Sequence, residues 1–437
     1  MRTSMPRLAP ADEANLVLDH SGQVNVFLVA GLLTHGGFVG DDGVLDLPAL
    51  RTALQSRISR LPSLRRVAVP AGRGHAWAEV PPDLEHHVRL VEAEEAVVAL
   101  ERRCGELMTV PLARDRPLWE LLLVPGGDLT DAAFILRIHH AIADGMSAVA
   151  LVHELFNPEE RRTRSGDVPV DAPTDHGRSG RAGGSARRVR RLGFGLRRVL
   201  TTISGRGVPP TVLLGERSPN RGVALVDVDL GALTSRARSF GATVNDALLA
   251  SVAAGFEAAL RAAGEQVPAT LAVSSPVALR RHGSASNQVG VMLVRLPLAG
   301  TGPDDRLRLI AARTMAEKVR ARQQGTLELM RGPLGARLMD GVGHRQHLVA
   351  GFVTNVPGPA ETMRLAGAPI TAIWPVAVLA ANVRIGVAAT SYAGRLRCGV
   401  HFDARNVPGA AFAAAMQNEL ACLDDRSRKA HFERDAS

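Results

Sequence analysis

The residues best suited to chemistry lie in one short segment, in which His139 and His140 are followed by three small or apolar residues and then by Asp144 and Gly145. The unperturbed pKa of an imidazole lies near neutrality, so a histidine that faces a cleft can act as a general base. Glycine supplies unusual backbone angles at a turn, and an aspartate there can cap the next helix or hold a cation. The segment predicts His140 as a general base and His139 as a structural residue.

Two other interpretations of this segment stay open at this point. Paired histidines also occur at polar surface turns, and the chain contains a second pair, His86 and His87, that no Asp-Gly dipeptide follows. A metal site is the other competitor, but the sequence offers no third and fourth ligand at a plausible spacing. We therefore predict no bound metal.

Patterns of apolar residues place the segment between a strand and a helix. They predict strands at 119–124, 132–138, 223–230 and 270–277, and helices at 48–60, 147–156 and 244–263. The assignments rest on helical spacings such as Leu50, Leu54 and Ile58, and on apolar runs bounded by turn residues. Strands and helices alternate in both halves, so an α/β layered architecture is expected.

The composition indicates a globular intracellular protein of more than one domain. The 437 residues exceed what a single core usually supports, and 46% of them are hydrophobic and 22% charged. The cysteines Cys104, Cys398 and Cys422 lie far apart, which argues against a disulfide framework and fits a reducing cytoplasm. We recognise neither a signal peptide nor an apolar stretch long enough to span a membrane.

The positive charge is concentrated near the middle of the chain. The net charge is +9, and the segment from His176 to Gly207 contains nine arginines and no acidic residue. Its Gly, Ser and Pro content predicts a linker at 161–212 between domains at 1–160 and 213–437. The apolar residues within it also fit a basic amphipathic helix that contacts an anionic membrane or lipid droplet. A solvated linker stays equally open, and nucleic acid is disfavoured because aromatic residues are nearly absent.

Several short motifs resemble a known family. His-His-x-x-x-Asp-Gly is the signature of the chloramphenicol-acetyltransferase-like superfamily, which includes peptide-synthetase condensation domains. The remaining motifs are similar to those of bacterial wax ester synthase/diacylglycerol acyltransferases. They follow in the family's order: Pro-Leu-Trp-Glu at 117–120, Val-Asn-Asp at 244–246, Pro-Val-Ala-Leu-Arg at 276–280, Asn-Gln-Val at 287–289, Asn-Val-Pro-Gly-Pro at 355–359, and Ser391, Tyr392 and Asp403 in the final strands.

The resemblance implies two chloramphenicol-acetyltransferase-like domains with the active site at their interface, reached by a channel from each face. It implies a set of site residues in three roles: His140, Asp144 and Asn245 as catalytic, His139, Gly145 and Arg280 as supporting, and Trp119, Asn287, Asn355 and Pro357 along the substrate channel. We expect Asp144 to pair with Arg280 and so to fix the turn of His140.

Three of these residues have structural alternatives. Trp119 is also expected as an anchor of the core, because a large aromatic residue beside Pro-Leu usually packs. Asn245 is also suited to cap the helix that follows Val244. The Asn355 loop is also suited to be a rigid turn, because proline and glycine mainly shape the backbone.

The resemblance implies transfer of a fatty acyl group from acyl-CoA to diacylglycerol or a long-chain alcohol, with no cofactor beyond the donor. His140 would deprotonate the hydroxyl as it attacks the thioester, and Asn245 or a backbone N–H would stabilise the oxyanion. Departures from the family pattern at Ser286, Ala278 and 211–220 lie around the cleft. They leave open a natural-product or other small hydroxylated acceptor with a carrier-bound donor, and a non-enzymatic lipid-binding or carrier-docking module.

Overall fold

A computed structural model describes residues 5–20, 22–92, 96–126, 132–143, 145–156, 207–279, 288–324, 337, 340–341 and 343–435. The N-terminal half contains α1 (Pro10–Val17), β1 (Val26–Leu33), α2 (Leu47–Ile58), β2 (Arg66–Ala71), β3 (Gly74–Glu79), α3 (Leu84–His87), β4 (Val88–Leu90), α4 (Ala96–Leu107), β5 (Trp119–Val124), β6 (Ala132–His139) and α5 (Gly145–Phe156). A short 3₁₀ helix, Pro62–Arg65, precedes β2.

The C-terminal half continues with β7 (Arg221–Asp229), α6 (Leu230–Ser239), α7 (Val244–Ala262), β8 (Thr270–Leu279), β9 (Gln288–Pro297) and α8 (Pro303–Gln324). It ends with β10 (Gly351–Pro357), β11 (Arg364–Leu365), β12 (Ala368–Val376), β13 (Ile385–Tyr392), β14 (Arg395–Asp403) and α9 (Gly409–Asp435). The α/β layered architecture expected from the sequence is confirmed.

Two six-stranded sheets organise these elements. The first has the strand order β11-β12-β1-β6-β5-β4, the second has the order β7-β14-β13-β10-β8-β9, and β2 and β3 form a separate hairpin. Helices cover the sheets, and α9 lies along α7, where Phe256 and Phe412 meet edge to face with ring centroids 5.3 Å apart. Among the described helices, none combines the length and the hydrophobicity that crossing a membrane requires.

The first sheet is buried deeply around the strand that leads to the histidine pair. All residues of β5 and β6 are buried, so both strands consist of nearly continuous apolar residues. A buried ion pair joins the two strands: Arg137 lies opposite Glu120, and its Nη1 donates to Oε2 over 2.8 Å. A charge pair this well buried is maintained only if both partners stay together. The end of β6 is therefore held in one position.

The C-terminal half of the chain contributes strands β11 and β12 to the first sheet, which the predicted domain division did not include. Strand β12 belongs to the C-terminal half in sequence but pairs antiparallel with β1 in the first sheet, with Ala30 opposite Trp374. A Cβ atom on Gly31 would lie 2.6 Å from the carbonyl oxygen of Ala372, and one on Gly399 of β14 would lie 2.2 Å from that of Pro375. Glycine on both sides thus lets β12 fit tightly between the sheets.

The predicted linker also ends earlier than expected. Within the described residues, the backbone N–H groups of Gly207 and Val208 donate to the carbonyl oxygen of His347, and Val208 is buried in the C-terminal core. Residues 207–212 therefore pack with the C-terminal half. The predicted basic segment, apart from Gly207, lies outside the described residues.

Candidate active site

His140 follows directly after β6, and hydrogen bonds hold both of its backbone polar groups. Its N–H donates to the carbonyl oxygen of Asn25 over 3.0 Å, and its carbonyl oxygen accepts from Nδ2 of Asn15 over 3.1 Å. Asn25 lies just before β1, and Asn15 lies in α1. The N-terminal segment of the chain thus sets the backbone position of the predicted base.

These two asparagines belong to one connected network. Nδ2 of Asn25 donates to the carbonyl oxygen of Asn15 over 2.9 Å, and the N–H of Asn25 donates to Oδ1 of Asp19 over 2.9 Å. Sequence reasoning missed this network, because its members contact backbone atoms far along the chain. The sequence feature that could have indicated the network is the presence of three short polar residues, Asn15, Asp19 and Asn25, just before the apolar strand β1.

His139 is fully buried and has a structural arrangement. Its Nδ1 accepts the N–H of Ala141 over 2.9 Å, which requires the ring proton to lie on Nε2, 3.4 Å from Oδ2 of Asp19. Burial alone would raise the pKa of Asp19, but hydrogen bonds from His139 and from the N–H of Asn25 outweigh it and lower the pKa. An ionised Asp19 therefore orients His139, and His139 shapes the turn that begins at His140.

His140 lines two cavities. The first, the apolar cavity, encloses about 920 Å³ of empty space including its opening. It is bounded by residues from both halves: Phe27 and Val29 of β1, Val149 and Val152 of α5, Ile373 of β12 and Tyr392 of β13. The ring of Phe27 lies 5.0 Å from that of His140, measured between centroids. A hydrocarbon chain fits such a wall, because burial of apolar surface is favourable.

The second cavity, the polar cavity, lies on another side of His140 and encloses about 560 Å³ including its opening. Its described lining contains the polar residues Asp12, Asn15, Ser63, Arg66 and Ser147, together with Trp77. His140 therefore adjoins an apolar and a polar space at once. This is the arrangement that a base needs if it acts between two substrates that differ in polarity.

Strand β10 supplies the apolar cavity with different residues from those predicted. Thr354 and Val356 line it, and Gly358 and Pro359 follow in the loop, whereas Asn355 and Pro357 do not. Consecutive residues of another strand, Phe27 to Val29 of β1, line the cavity together, so alternation along a strand does not by itself decide the lining. The substrate-channel role of Asn355 and Pro357 stays a prediction, and both residues adjoin the wall of the apolar cavity without lining it.

Trp119 occupies the core and lines neither cavity around His140. Its Nε1 donates to the carbonyl oxygen of Leu64 over 3.0 Å, and its ring stacks on His87 with centroids 4.6 Å apart. The structural alternative for Trp119 fits this position, and the substrate-channel role does not. His87 is equally structural: burial lowers its pKa, and Nδ1 lies 2.7 Å from the carbonyl oxygen of Trp119.

Asn245 is half-buried near the start of α7 and lines neither cavity. The helix is capped instead by Thr243, which exchanges hydrogen bonds with Asp246 in a capping box. The capping role that we considered for Asn245 is therefore wrong. The described contacts give its predicted role at the oxyanion no geometric support.

The remaining predicted site residues divide into two groups. Gly145 begins α5, directly after the turn of His140. Asp144, Arg280 and Asn287 lie outside the described residues, and with them the predicted pair of Asp144 and Arg280. Within the described part of the chain, no group of three or more His, Cys, Asp or Glu side chains could hold a metal ion.

The same fold occurs in solved structures of low sequence identity. The wax ester synthase/diacylglycerol acyltransferase from Marinobacter aquaeolei VT8 superposes with a TM-score of 0.71 at 21% identity, over 96% of this chain and 99% of that one. The first condensation domain of the CDA synthetase superposes with a TM-score of 0.61 at 17% identity, over 98% and 97%. The chain therefore has the two-domain fold of chloramphenicol-acetyltransferase-like proteins.

Sequence comparison identifies the family within that fold class. The wax ester synthase/diacylglycerol acyltransferase catalytic domain matches residues 8–248, and the C-terminal domain of the same family matches residues 285–423. A Mycobacterium tuberculosis H37Rv protein, named as a candidate diacylglycerol O-acyltransferase, is 30% identical over 401 residues, which cover 82% of this chain and 83% of that protein. The chain belongs to the wax ester synthase/diacylglycerol acyltransferase family. The predicted resemblance is confirmed, and the protein is an O-acyltransferase.

Proposed function

We propose that this enzyme transfers a fatty acyl group from an acyl-CoA thioester to the hydroxyl group of an alcohol, with His140 as the general base. The observation that carries the proposal is the position of His140 between the apolar cavity and the polar cavity. The apolar cavity binds the acyl chain, because each buried methylene contributes about 0.8 kcal/mol. The reacting carbonyl group then lies at the end of this cavity, next to the imidazole.

The reaction proceeds without a covalent intermediate on the protein. The neutral imidazole of His140 removes the hydroxyl proton while the acceptor oxygen forms a bond to the thioester carbonyl carbon. The tetrahedral intermediate then expels the sulfur, and the imidazolium returns the proton to the thiolate. The products are an ester and free coenzyme A, and the histidine is again neutral. A backbone N–H beside the reacting carbonyl supplies the hydrogen bond to the oxyanion, because Asn245 lines neither cavity around His140.

The residues that hold His140 contribute to the rate by positioning it and do not themselves react with the substrates. Asn15 and Asn25 hold the backbone of His140, and Asp19 orients His139 beside it. A small displacement of a catalytic group costs much of the rate, because reacting atoms must meet in one geometry. We also propose that Asp144 pairs with Arg280 and fixes the same turn from the other domain.

Diacylglycerol and long-chain alcohols are the acceptors that the names of the family and its members suggest. A small hydroxylated acceptor or a carrier-bound donor is the second candidate, and the polar cavity favours it because hydrogen-bonding residues line that side of His140. For localisation, we propose a cytoplasmic protein whose arginine-rich segment, 176–207, contacts anionic membranes peripherally. Deletion of that segment should abolish salt-sensitive binding to anionic vesicles. Unchanged binding after the deletion would contradict this proposal.

One assay tests the central proposal. Purified protein is incubated with acyl-CoAs of several chain lengths against hexadecanol, dioleoylglycerol and small hydroxylated compounds, and both thiol release and product mass are measured. We expect thiol release that depends on an alcohol, with the mass of the matching ester. Matched incubations with acyl carrier protein thioesters distinguish the two donors. Absence of ester product from every pair would favour a binding module over an enzyme.

A further inference from the structure

The polar cavity presents hydrogen-bond donors that have no partner among the described residues. The guanidinium of Arg66, the hydroxyl of Ser63 and the indole N–H of Trp77 all belong to lining residues, and no described hydrogen bond or ion pair engages them. Trp77 as a whole residue is 8% exposed. The cavity that these three residues line is open to solvent, so a ligand with acceptor oxygens could replace water there and accept hydrogen bonds from them.

The neighbouring polar residues of this cavity are already engaged. Asn15 donates to the carbonyl oxygen of His140 and accepts from Asn25, while Asp12 and Ser147 each have an interaction of their own. The unengaged groups are therefore mainly donors, and one of them is a cation. A ligand that satisfies them must bring acceptor oxygens, and a guanidinium binds carboxylate or phosphate oxygens best.

The nearest acidic residue on the paired strand does not neutralise Arg66. Glu79 lies opposite Arg66 in the β2–β3 hairpin, but its carboxylate pairs with Arg65 over 2.8 Å. Asp12 is the one carboxylate among the described lining residues. Two adjacent arginines thus have different surroundings: Arg65 pairs with Glu79, and Arg66 lines the cavity that His140 also lines.

We infer that the polar cavity binds an anionic oxygen group, a carboxylate or a phosphate, that the hydroxyl acceptor carries near its reacting hydroxyl, with Arg66 as the main binding side chain. The inference rests on the proposed function and narrows its acceptor to hydroxy acids or phosphorylated alcohols. The phosphates of coenzyme A are the other source of such a group. They are separated from the thioester sulfur by the whole pantetheine arm, whereas Arg66 and His140 line a single cavity.

The experiment compares acceptors that differ only in charge. Wild type, Arg66→Gln, Arg66→Lys and the matched control Arg65→Gln are assayed with 3-hydroxydecanoate and its methyl ester, and with glycerol 3-phosphate and glycerol. Each acceptor is paired with octanoyl-CoA and with the phosphate-free octanoyl thioester of N-acetylcysteamine. Thermal unfolding of every variant shows whether it is folded.

We expect wild type to prefer at least one anionic acceptor over its neutral counterpart. Arg66→Gln should raise the KM for that acceptor by about 10- to 100-fold, because a hydrogen bond to a charged group is lost. The neutral counterpart should change far less, Arg66→Lys should keep part of the preference, and Arg65→Gln should behave as wild type. Ser63→Ala should shift the same KM by about threefold, and it keeps the inference testable if Arg66→Gln does not fold.

Three results would overturn the inference. If wild type forms ester from the neutral acceptors as efficiently as from the anionic ones, or more efficiently, the inferred anionic acceptor is wrong. The proposed function would be unaffected by that result. A KM effect of Arg66→Gln that is confined to octanoyl-CoA, and absent with the N-acetylcysteamine thioester, would assign Arg66 to the donor phosphates. Absence of ester from every one of these pairs would overturn this inference, and the proposed function would fall with it only if hexadecanol and dioleoylglycerol also gave no ester.

Discussion

The side-chain amide of Asn15 donates a 3.1 Å hydrogen bond to the carbonyl oxygen of His140, across 125 positions of sequence. On the N-terminal side of the same residue, the N–H of His140 donates to the carbonyl oxygen of Asn25. The position of the predicted base therefore depends on a segment near the N-terminus that itself contributes no acid or base. Rate and substrate binding should respond differently when this support is lost.

Asn15→Ala should lower kcat by about tenfold and change the KM for acyl-CoA by less than about twofold, because the imidazole is misplaced while the apolar cavity stays intact. Steady-state kinetics with one alcohol over a range of acyl-CoA concentrations measures both constants. Asn220→Ala is the matched control, because Asn220 is exposed and lines neither cavity. An unchanged kcat in a folded Asn15→Ala variant would contradict the positioning role.

His140→Ala should reduce the rate of ester formation by about 10²–10⁴-fold, which is the usual contribution of general-base catalysis. The fold should stay cooperative, because His140 lies at a turn beside two cavities. His87→Ala is the control from the second histidine pair: it should keep turnover but lower the thermal midpoint, since His87 is buried against Trp119. Residual activity above roughly a tenth of wild type would remove His140 from its role.

Val356→Trp should shorten the acyl chain that the enzyme accepts, because the larger side chain fills part of the apolar cavity. Each methylene that loses its contact costs about 0.8 kcal/mol, or roughly fourfold in affinity. The ratio of kcat/KM for octanoyl-CoA to that for hexadecanoyl-CoA measures the shift. Asn355→Ala should leave this ratio unchanged, since its neighbours and not Asn355 itself line the cavity. A larger effect of Asn355→Ala than of Val356→Trp would indicate that Asn355, and not Val356, contacts the acyl chain.

Asp19→Asn should destabilise the protein in a manner that depends on pH. Despite burial, hydrogen bonds lower the pKa of Asp19 in the folded state, so its contribution is fully present above the unfolded pKa, about 3.9. That contribution is lost as the pH falls through the lower, folded pKa. Urea unfolding at pH 7, 5 and 3 should give a nearly constant difference in unfolding free energy between wild type and variant at pH 7 and 5, and a smaller difference at pH 3, which lies below the unfolded pKa. A difference that grows on acidification would contradict the assignment.

Asp144→Asn and Arg280→Gln should each lower the free energy of unfolding and the turnover, because each removes one side of the proposed pair. The double variant should be little worse than either single variant, since the interaction is already lost. Urea unfolding and ester formation of all four proteins complete the cycle. Additive losses would show that the two residues are not coupled, and Arg281 would become the candidate partner.

Local patterns predicted the elements around the site well. The strand expected at 119–124 is β5, Trp119–Val124. The strand expected at 132–138 is β6, which is one residue longer and ends at His139. Both consist mainly of apolar residues bounded by turns, a signal that needs no knowledge of the rest of the chain. The helix expected at 147–156 begins slightly earlier, at Gly145.

Non-local relationships were not predictable in this way. The sequence did not distinguish Asn355 and Pro357 from their neighbours Thr354 and Val356, which line the apolar cavity, because only the packed sheets decide which residues meet it. The hydrogen bonds of Asn15 and Asn25 to His140 involve its backbone atoms. Such bonds do not depend on the residue type of the partner, so the sequence does not indicate them. The pairing of β12 with β1 likewise has no local signature, so the domain division by composition missed it.

The place of β12 beside β1 also bears on how this protein is synthesised. A ribosome releases β1 early, but β12 follows only after most of the chain has emerged, so the nascent first sheet has an open edge along β1. Unpaired edges attract other strands, and pairing between distant segments is slow. A truncated translation product that ends before Ala368 would carry His140 without the Ile373 wall of its apolar cavity. Acyl transfer is thereby withheld until the chain is almost complete, and chaperones that shield strand edges should govern the yield of active enzyme.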